Sequence, residues 1–88
     1  MKTKKGFKLI EISGENILVA EGEENIDFGK IISMNQSASL LWKKIEGKEF
    51  NETELTNILM DEYDVDLSTA QKDIHELIVQ WRKAGIVE

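Results

Sequence analysis

The stretch Gly29–Gly47, GKIISMNQSASLLWKKIEG, decides the fold, because in it a short apolar strand runs directly into an amphipathic helix. Residues 30–34 are rich in β-branched side chains and follow a glycine, which is typical of a strand. Asn35 stands at a helix N-cap, where its side-chain oxygen accepts a hydrogen bond from the first turn. The helix has one apolar stripe and a left-handed terminator at Gly47: Ala38, Leu41, Trp42 and Ile45. A short strand beside a helix leaves a groove next to a free strand edge, which suits a peptide.

Two further strands are predicted before this unit. Lys8–Ile12 and Ile17–Ala20 are short apolar runs, and the turn-forming cluster Ser13–Asn16 separates them. Such a pattern predicts a β-hairpin. The segment Glu21–Asp27 is acidic and poor in apolar residues, so we expect it to be a loop leading to the third strand.

Two further helices are predicted after the unit. The first begins after Asn51, with Glu54 at capping-box spacing. The second spans about Thr69–Ala84, begins after Ser68 and ends at Gly85. Their apolar stripes follow helical spacing: Leu55, Ile58, Leu59 and Tyr63 in the first, and Ala70, Ile74, Leu77, Ile78 and Trp81 in the second. The order β-β-β-α-α-α predicts an α+β, winged helix-turn-helix-like domain with a three-stranded antiparallel sheet followed by three helices. We expect residues 1–88 to form this one domain, with 1–6 as a flexible tail.

Composition excludes several classes of function. The 88 residues include no cysteine, which excludes disulfides and thiol chemistry. Residues 9–88 hold seven basic and seventeen acidic side chains, a formal charge of −10, whereas a nucleic-acid-binding protein needs a basic face. No apolar run approaches the roughly 18 residues of a membrane span or the 7–15 of a signal peptide. We therefore expect a cytoplasmic protein that binds neither nucleic acid nor membranes.

The sequence contains no catalytic or metal-binding constellation. The one histidine, His75, falls about 100° from the apolar stripe of its helix, which indicates a solvated surface position. The acidic run Asp61–Asp66 lacks the glycine and the terminal glutamate of a calcium-binding EF-hand loop. Phosphate-binding glycine motifs are also missing. We expect no enzyme activity, no metal and no cofactor; Trp42 and Trp81 are interpreted as core residues, although either has the size to line a groove.

The chain resembles PqqD-like proteins, which are also called recognition elements for ribosomally synthesised and post-translationally modified peptides (RiPPs). The order and spacing of a whole set of residues carry the resemblance, rather than any single motif: Met34-Asn35, Ala38, Leu41-Trp42, Gly47, Leu55, Ile58, Tyr63, Val65, Asp73, Leu77, Trp81 and Gly85-Ile86-Val87. The resemblance covers residues 30–87. It implies a non-catalytic peptide chaperone that binds the leader segment of a precursor peptide and presents it to a modifying enzyme, as in pyrroloquinoline quinone (PQQ) biosynthesis.

The resemblance also implies where the peptide binds. In the family the peptide adds as an extra strand beside the third strand, in a cleft against the third helix. On this chain the implied contacts are Ile31, Ile32, Ser33 and Met34 of the strand, and Ala70, Asp73, Glu76, Leu77, Gln80 and Trp81 of the helix. Trp81 stands where a smaller aliphatic residue is common, so the groove differs in shape here. The implied partner is a radical S-adenosylmethionine (SAM) enzyme, a peptidase or a cyclase; the sequence does not identify it, the precursor or the product.

Two alternatives to peptide binding are open at this point. The first is a structural or oligomerisation subunit without a peptide ligand, and the exposed edge of residues 30–34 makes weak self-association plausible. The second is a winged-helix DNA-binding protein. It is disfavoured because the first half of the third helix, residues 69–76, carries one lysine and two acidic residues where base contacts need basic side chains.

Overall fold

The computed structural model describes residues 1–20 and 31–88. The predicted acidic loop, Glu21–Asp27, lies outside these residues. Strand β1 (Phe7–Ile12) pairs antiparallel with β2 (Glu15–Ala20) and confirms the hairpin. The turn is shorter than predicted because Ser13 and Gly14 both adopt positive φ angles, 52° and 81°, and close it in two residues. Glu15 and Asn16, predicted as turn residues, therefore belong to β2.

The third strand completes a small antiparallel sheet. Strand β3 (Ile31–Met34) pairs with β2, so the strand order is β1-β2-β3 and β3 lies at an edge. Ile32 pairs with Leu18, which is fully buried, so both side chains point to the side of the sheet that the helices cover. Ile31 lies on the opposite face and is 64 % exposed. The predicted strand is confirmed over residues 31–34.

Three helices follow in the predicted order: α1 (Gln36–Ile45), α2 (Glu52–Glu62) and α3 (Leu67–Ala84). The predicted N-caps of the first two are confirmed, because the side-chain oxygens of Asn35 and Asn51 each accept a backbone N–H at 2.8 Å. Helix α3 begins two residues earlier than predicted, so its N-cap is Asp66 and not Ser68. The hydroxyl of Thr69 holds the pKa of the Asp66 carboxyl below its usual value. Gly85, at φ 76°, ends α3 as predicted.

The core lies between the helices and the inner face of the sheet. Both tryptophans are buried within it, and their rings meet edge to face with centroids 5.4 Å apart. The predicted stripe of α1 is entirely buried. The buried apolar residues are Leu18, Met34, Ala38, Leu41, Trp42, Ile45, Phe50, Leu55, Leu59, Ala70, Ile74, Ile78, Trp81, Ile86 and Val87.

The first residues of the chain form backbone hydrogen bonds with the last ones. The N–H of Lys4 donates to the C=O of Ile86 at 2.9 Å, and the N–H of Glu88 donates to the C=O of Lys2 at 2.8 Å. Thr3 lies between them, only 5 % exposed. This short pairing with residues 86–88 fixes the segment because Ile86 and Val87 are themselves core residues. None of the helices in the described parts of the chain is both long and apolar enough to cross a membrane.

Candidate functional site

The geometry of the hairpin determines which backbone groups are available at the β3 edge. In a two-residue hairpin turn the C=O of Ile12 accepts the N–H of Glu15, so Glu15 bonds toward β1. Backbone groups of successive strand residues point in opposite directions. Asn16 and Leu18 therefore bond toward β3. The one-to-one register continues through β2 without a bulge.

The same alternation continues in β3. Met34 and Ile32 are the partners of Asn16 and Leu18, so their N–H and C=O groups bond to β2. Ile31 and Ser33 form the non-hydrogen-bonded pairs with β2, so their backbone N–H and C=O groups point away from β2. The described part of the chain provides no strand on that side. The edge therefore offers two N–H donors and two C=O acceptors to an added strand.

A groove opens where β3 meets α1, and α3 forms its far wall. The volume of the groove is about 230 Å³. Helices α1 and α2 contribute apolar side chains to it in addition to those of α3. The lining residues are Asn35, Ser37, Ala38, Leu41, Leu59, Asp73, Ile74, Glu76, Leu77 and Gln80. Strand β3 and helix α3 are not among the closely packed pairs of elements in the described residues. The groove thus has an apolar floor and a polar rim, and Asn35, which directly follows β3, is the lining residue nearest in sequence to that strand.

Four of the six residues that the sequence assigned to the α3 wall line this groove. Asp73, Glu76, Leu77 and Gln80 are spaced i, i+3, i+4 and i+7, so they share one face of the helix. Leu77 is half-buried and the other three are exposed, which leaves all four accessible to a ligand.

The other two assigned helix residues lie elsewhere. Ala70 is fully buried and Trp81 is 3 % exposed; neither lines the groove. Trp81 instead packs against Trp42, and both tryptophans are core residues, as interpreted from the sequence. Ala70 and Trp81 lie on the buried stripe of α3, which is about 100° around the helix from the groove face, the rotation of one residue.

The four strand residues of the predicted site divide into two pairs. Ile31 and Ser33 are exposed and present the free backbone groups. Ile32 is half-buried and Met34 is 7 % exposed, on the core side. The backbone groups of Ile31 and Ser33 therefore point to the edge of the described sheet, whereas the side chains of Ile32 and Met34 face the core.

The floor of the groove was missing from the predicted site. Ala38 and Leu41 of α1, Leu59 of α2 and Ile74 of α3 form it, each at most 7 % exposed. The sequence marked all four as core-facing stripe residues. Periodicity finds such stripes, but it does not distinguish a residue under a groove from one deeper in the core.

The charged side chains of the groove are both acidic. Asp73 and Glu76 are its two ionisable lining residues, and the described lining contains no basic side chain. A second depression, about 680 Å³, lies at the hairpin end of the sheet and shares Asn35 with the groove. Its lining is mainly carboxylate and amide side chains, including Glu11 and Glu15. Of these two depressions, the smaller groove is the one that combines an apolar floor with the wall of α3, which makes it the candidate binding site.

The single histidine of the sequence lies away from the groove lining. His75 is exposed on another face of α3, where its Nδ1 lies 3.2 Å from Oε1 of Glu52. Within residues 1–20 and 31–88, no three His, Asp or Glu side chains gather closely enough to hold a metal ion.

Comparison with known proteins identifies the family. The family model for coenzyme PQQ synthesis protein D (PqqD) matches residues 15–87 of this sequence. The match includes most of the chain, and the protein therefore belongs to the PqqD family. Among curated proteins, no sequence matches significantly.

A solved structure supports the fold. The structure of TbiB1 in complex with the TbiA(beta) leader peptide superposes with a TM-score of 0.78, at 19 % sequence identity. The superposition covers 100 % of this chain and 95 % of the TbiB1 chain. At this identity the likeness concerns the fold, which is the predicted sheet of three strands followed by three helices.

Proposed function

We propose that this protein binds the leader segment of a ribosomally synthesised precursor peptide as a fourth strand on β3. The observation that carries this proposal is the edge of β3 at Ile31 and Ser33, where residues 1–20 and 31–88 add no further strand, together with the groove between α1 and α3. Membership in the PqqD family and the fold shared with a protein solved with a leader peptide support it. Strand addition gives affinity through the backbone, and alternate side chains entering pockets give specificity.

The energetics require side-chain anchors as well as backbone pairing. About four backbone hydrogen bonds at roughly 0.5–1.5 kcal/mol each supply about 2–6 kcal/mol. Association itself costs about 4–15 kcal/mol, so pairing alone does not give useful affinity. Two or three apolar side chains of the peptide, each contributing about 1.5–3 kcal/mol on burial, account for the remainder. Leu77 and the floor beneath it form the surface that accepts them.

The proposed role is non-catalytic. The protein presents the bound leader to a modifying enzyme, and its fold provides recognition while the partner provides the chemistry. A radical SAM enzyme, a peptidase and a cyclase are the partner classes that the family implies. Genes for a short precursor peptide and for one of these enzymes beside this gene would identify the pathway, PQQ biosynthesis or another.

Calorimetric titration with the leader peptide encoded nearby tests the proposal. Ser33→Pro removes an N–H that points to the free edge, and proline is tolerated on edge strands when its missing donor faces outward. We expect the variant to keep the fold, as seen by circular dichroism, and to lose at least tenfold in affinity. Glu11→Pro is the matched control, because the same alternation directs the N–H of Glu11 to the free edge of β1.

The outcomes separate the proposal from its alternatives. Equal affinity of folded Ser33→Pro and the parent contradicts strand addition on β3. A stable dimer in sedimentation velocity, dissociated by Ser33→Pro and indifferent to the leader, supports the oligomerisation subunit instead. Sub-micromolar, salt-sensitive binding to duplex DNA in fluorescence anisotropy would favour the winged-helix alternative, against the acidic charge of residues 9–88.

A further inference from the structure

The charge of the groove restricts the kind of peptide that it accepts. Asp73 and Glu76 stand on the exposed rim of α3, and Leu77 lies beside them above the apolar floor. Positions three and four apart on a helix are neighbours, so Asp73 lies next to both Glu76 and Leu77, and the two carboxylates form the rim on the N-terminal side of Leu77. The three basic residues of α3 do not line the groove: Lys72, Arg82 and Lys83.

We propose that the leader segment bound here is cationic, with Lys or Arg flanking its apolar anchor. This inference rests on the peptide-binding role proposed above and adds the chemistry of the ligand to it. A peptide whose apolar anchor packs on Leu77 brings the side chains on either side of that anchor close to the two carboxylates, because all three residues line the same groove. An acidic leader would instead meet two like charges on a chain whose net charge is already −6.

The size of the effect follows from exposure. Both carboxylates are exposed, and exposed ion pairs contribute about 0.2–1 kcal/mol each. Two such pairs correspond to about 2- to 30-fold in affinity, with about 3- to 10-fold in the middle of that range, and the effect depends strongly on salt. The acidic rim therefore selects among peptides with similar anchors, whereas Leu77 and the floor provide most of the binding energy.

The test uses fluorescence anisotropy with a fluorescein-labelled synthetic leader from the precursor encoded beside this gene. The double variant Asp73→Asn/Glu76→Gln neutralises the rim. We expect it to bind about 3- to 10-fold more weakly than the parent at 50 mM NaCl, and the difference to fall below about twofold at 0.5 M NaCl. Replacing the lysines and arginines of the leader by glutamine should reproduce this loss in the parent and add little in the double variant.

The matched control is Glu54→Gln/Asp61→Asn, which changes the net charge equally at two exposed positions of α2 outside the groove. We expect its affinity to stay within about twofold of the parent. Unchanged or tighter binding by the rim variant, while Leu77→Asp still weakens binding roughly 30-fold or more, overturns the cationic-leader inference alone. Absence of leader binding by the parent overturns the proposed function as well.

Discussion

Helix α3 presents two faces with opposite characters. Three residues of the groove face each precede a core residue by one position, so the two faces are about 100° apart. The core face comprises Ala70, Ile74, Ile78 and Trp81, at most 3 % exposed, and the groove face comprises Asp73, Glu76, Leu77 and Gln80.

The difference teaches how a domain of 88 residues combines stability with recognition. A fold of this size has a free energy of unfolding of only about 4–13 kcal/mol, so a substitution on the core face that costs a few kcal/mol removes a large part of it. The groove face contributes less to the core, since three of its four residues are exposed. Leu77 is the connection between them, because it packs against the core and also lines the groove.

Removal of a core-face anchor should give the largest effect. Trp81→Ala deletes a buried indole that meets the Trp42 ring at 5.4 Å. We expect the free energy of unfolding in urea to fall by about 3–5 kcal/mol, because the loss of buried area adds to the cost of the cavity. Trp81→Phe, which refills part of the space, should lose less. A loss below about 1 kcal/mol for Trp81→Ala would show that the division between the two faces is wrong at this position.

The groove face should respond in binding rather than in stability. Leu77→Asp replaces an apolar anchor by a charge that the bound peptide desolvates. We expect a cost above about 2 kcal/mol in affinity for the leader, or roughly 30-fold, by calorimetry, with circular dichroism confirming the fold.

The control for this prediction is Lys43→Ala on the exposed side of α1, with an expected change below about 0.5 kcal/mol. If folded Leu77→Asp binds as well as the parent, the groove is not the ligand site, and α3 has a core face only.

The order and type of the elements were predictable because each boundary has a local signal. Asn35 and Asn51 cap helices through their own side chains, and Gly85 adopts the left-handed conformation that its position predicted. The errors occurred where two local signals compete. Ser68 and Gln71 have capping-box spacing, but Asp66 offers an earlier N-cap, and the sequence does not rank them.

The candidate site was predictable only in part, because it depends on how α3 is rotated against the sheet. Ala70 and Trp81 were assigned to the groove together with Leu77, although only Leu77 reaches it. The apolar stripe and the groove stripe overlap at Leu77, and a pattern of 3.6 residues gives no angle relative to β3. The direction of the Ser33 N–H was not predictable from the sequence. It is deduced from the two-residue turn together with the registers of the β1–β2 and β2–β3 pairs.

A smaller effect is expected at the junction that connects the strand to the groove. Asn35 caps α1 and lines the groove, and its Oδ1 accepts the N–H of Ala38 at 2.8 Å. Asn35→Ala should lower the free energy of unfolding in urea by about 1 kcal/mol, within a range of 0.5–2, because the first turn loses its acceptor. Asn35→Ser, which can still cap, should recover most of this loss. If both variants lose the same free energy of unfolding, the Asn35 side chain stabilises the fold through contacts other than the cap hydrogen bond.

The smallest effect is expected on the third, solvated side of α3. His75 and Glu52 approach to 3.2 Å, but their side chains are 66 % and 49 % exposed. Exposed pairs of this kind contribute little, since water screens them and ordering two side chains costs entropy. We expect His75→Ala to change the free energy of unfolding by less than about 0.5 kcal/mol and the affinity for the leader by less than about twofold. A tenfold loss of affinity in this variant would place the ligand across the third side of α3, and the division into a core face and a groove face would no longer describe the helix.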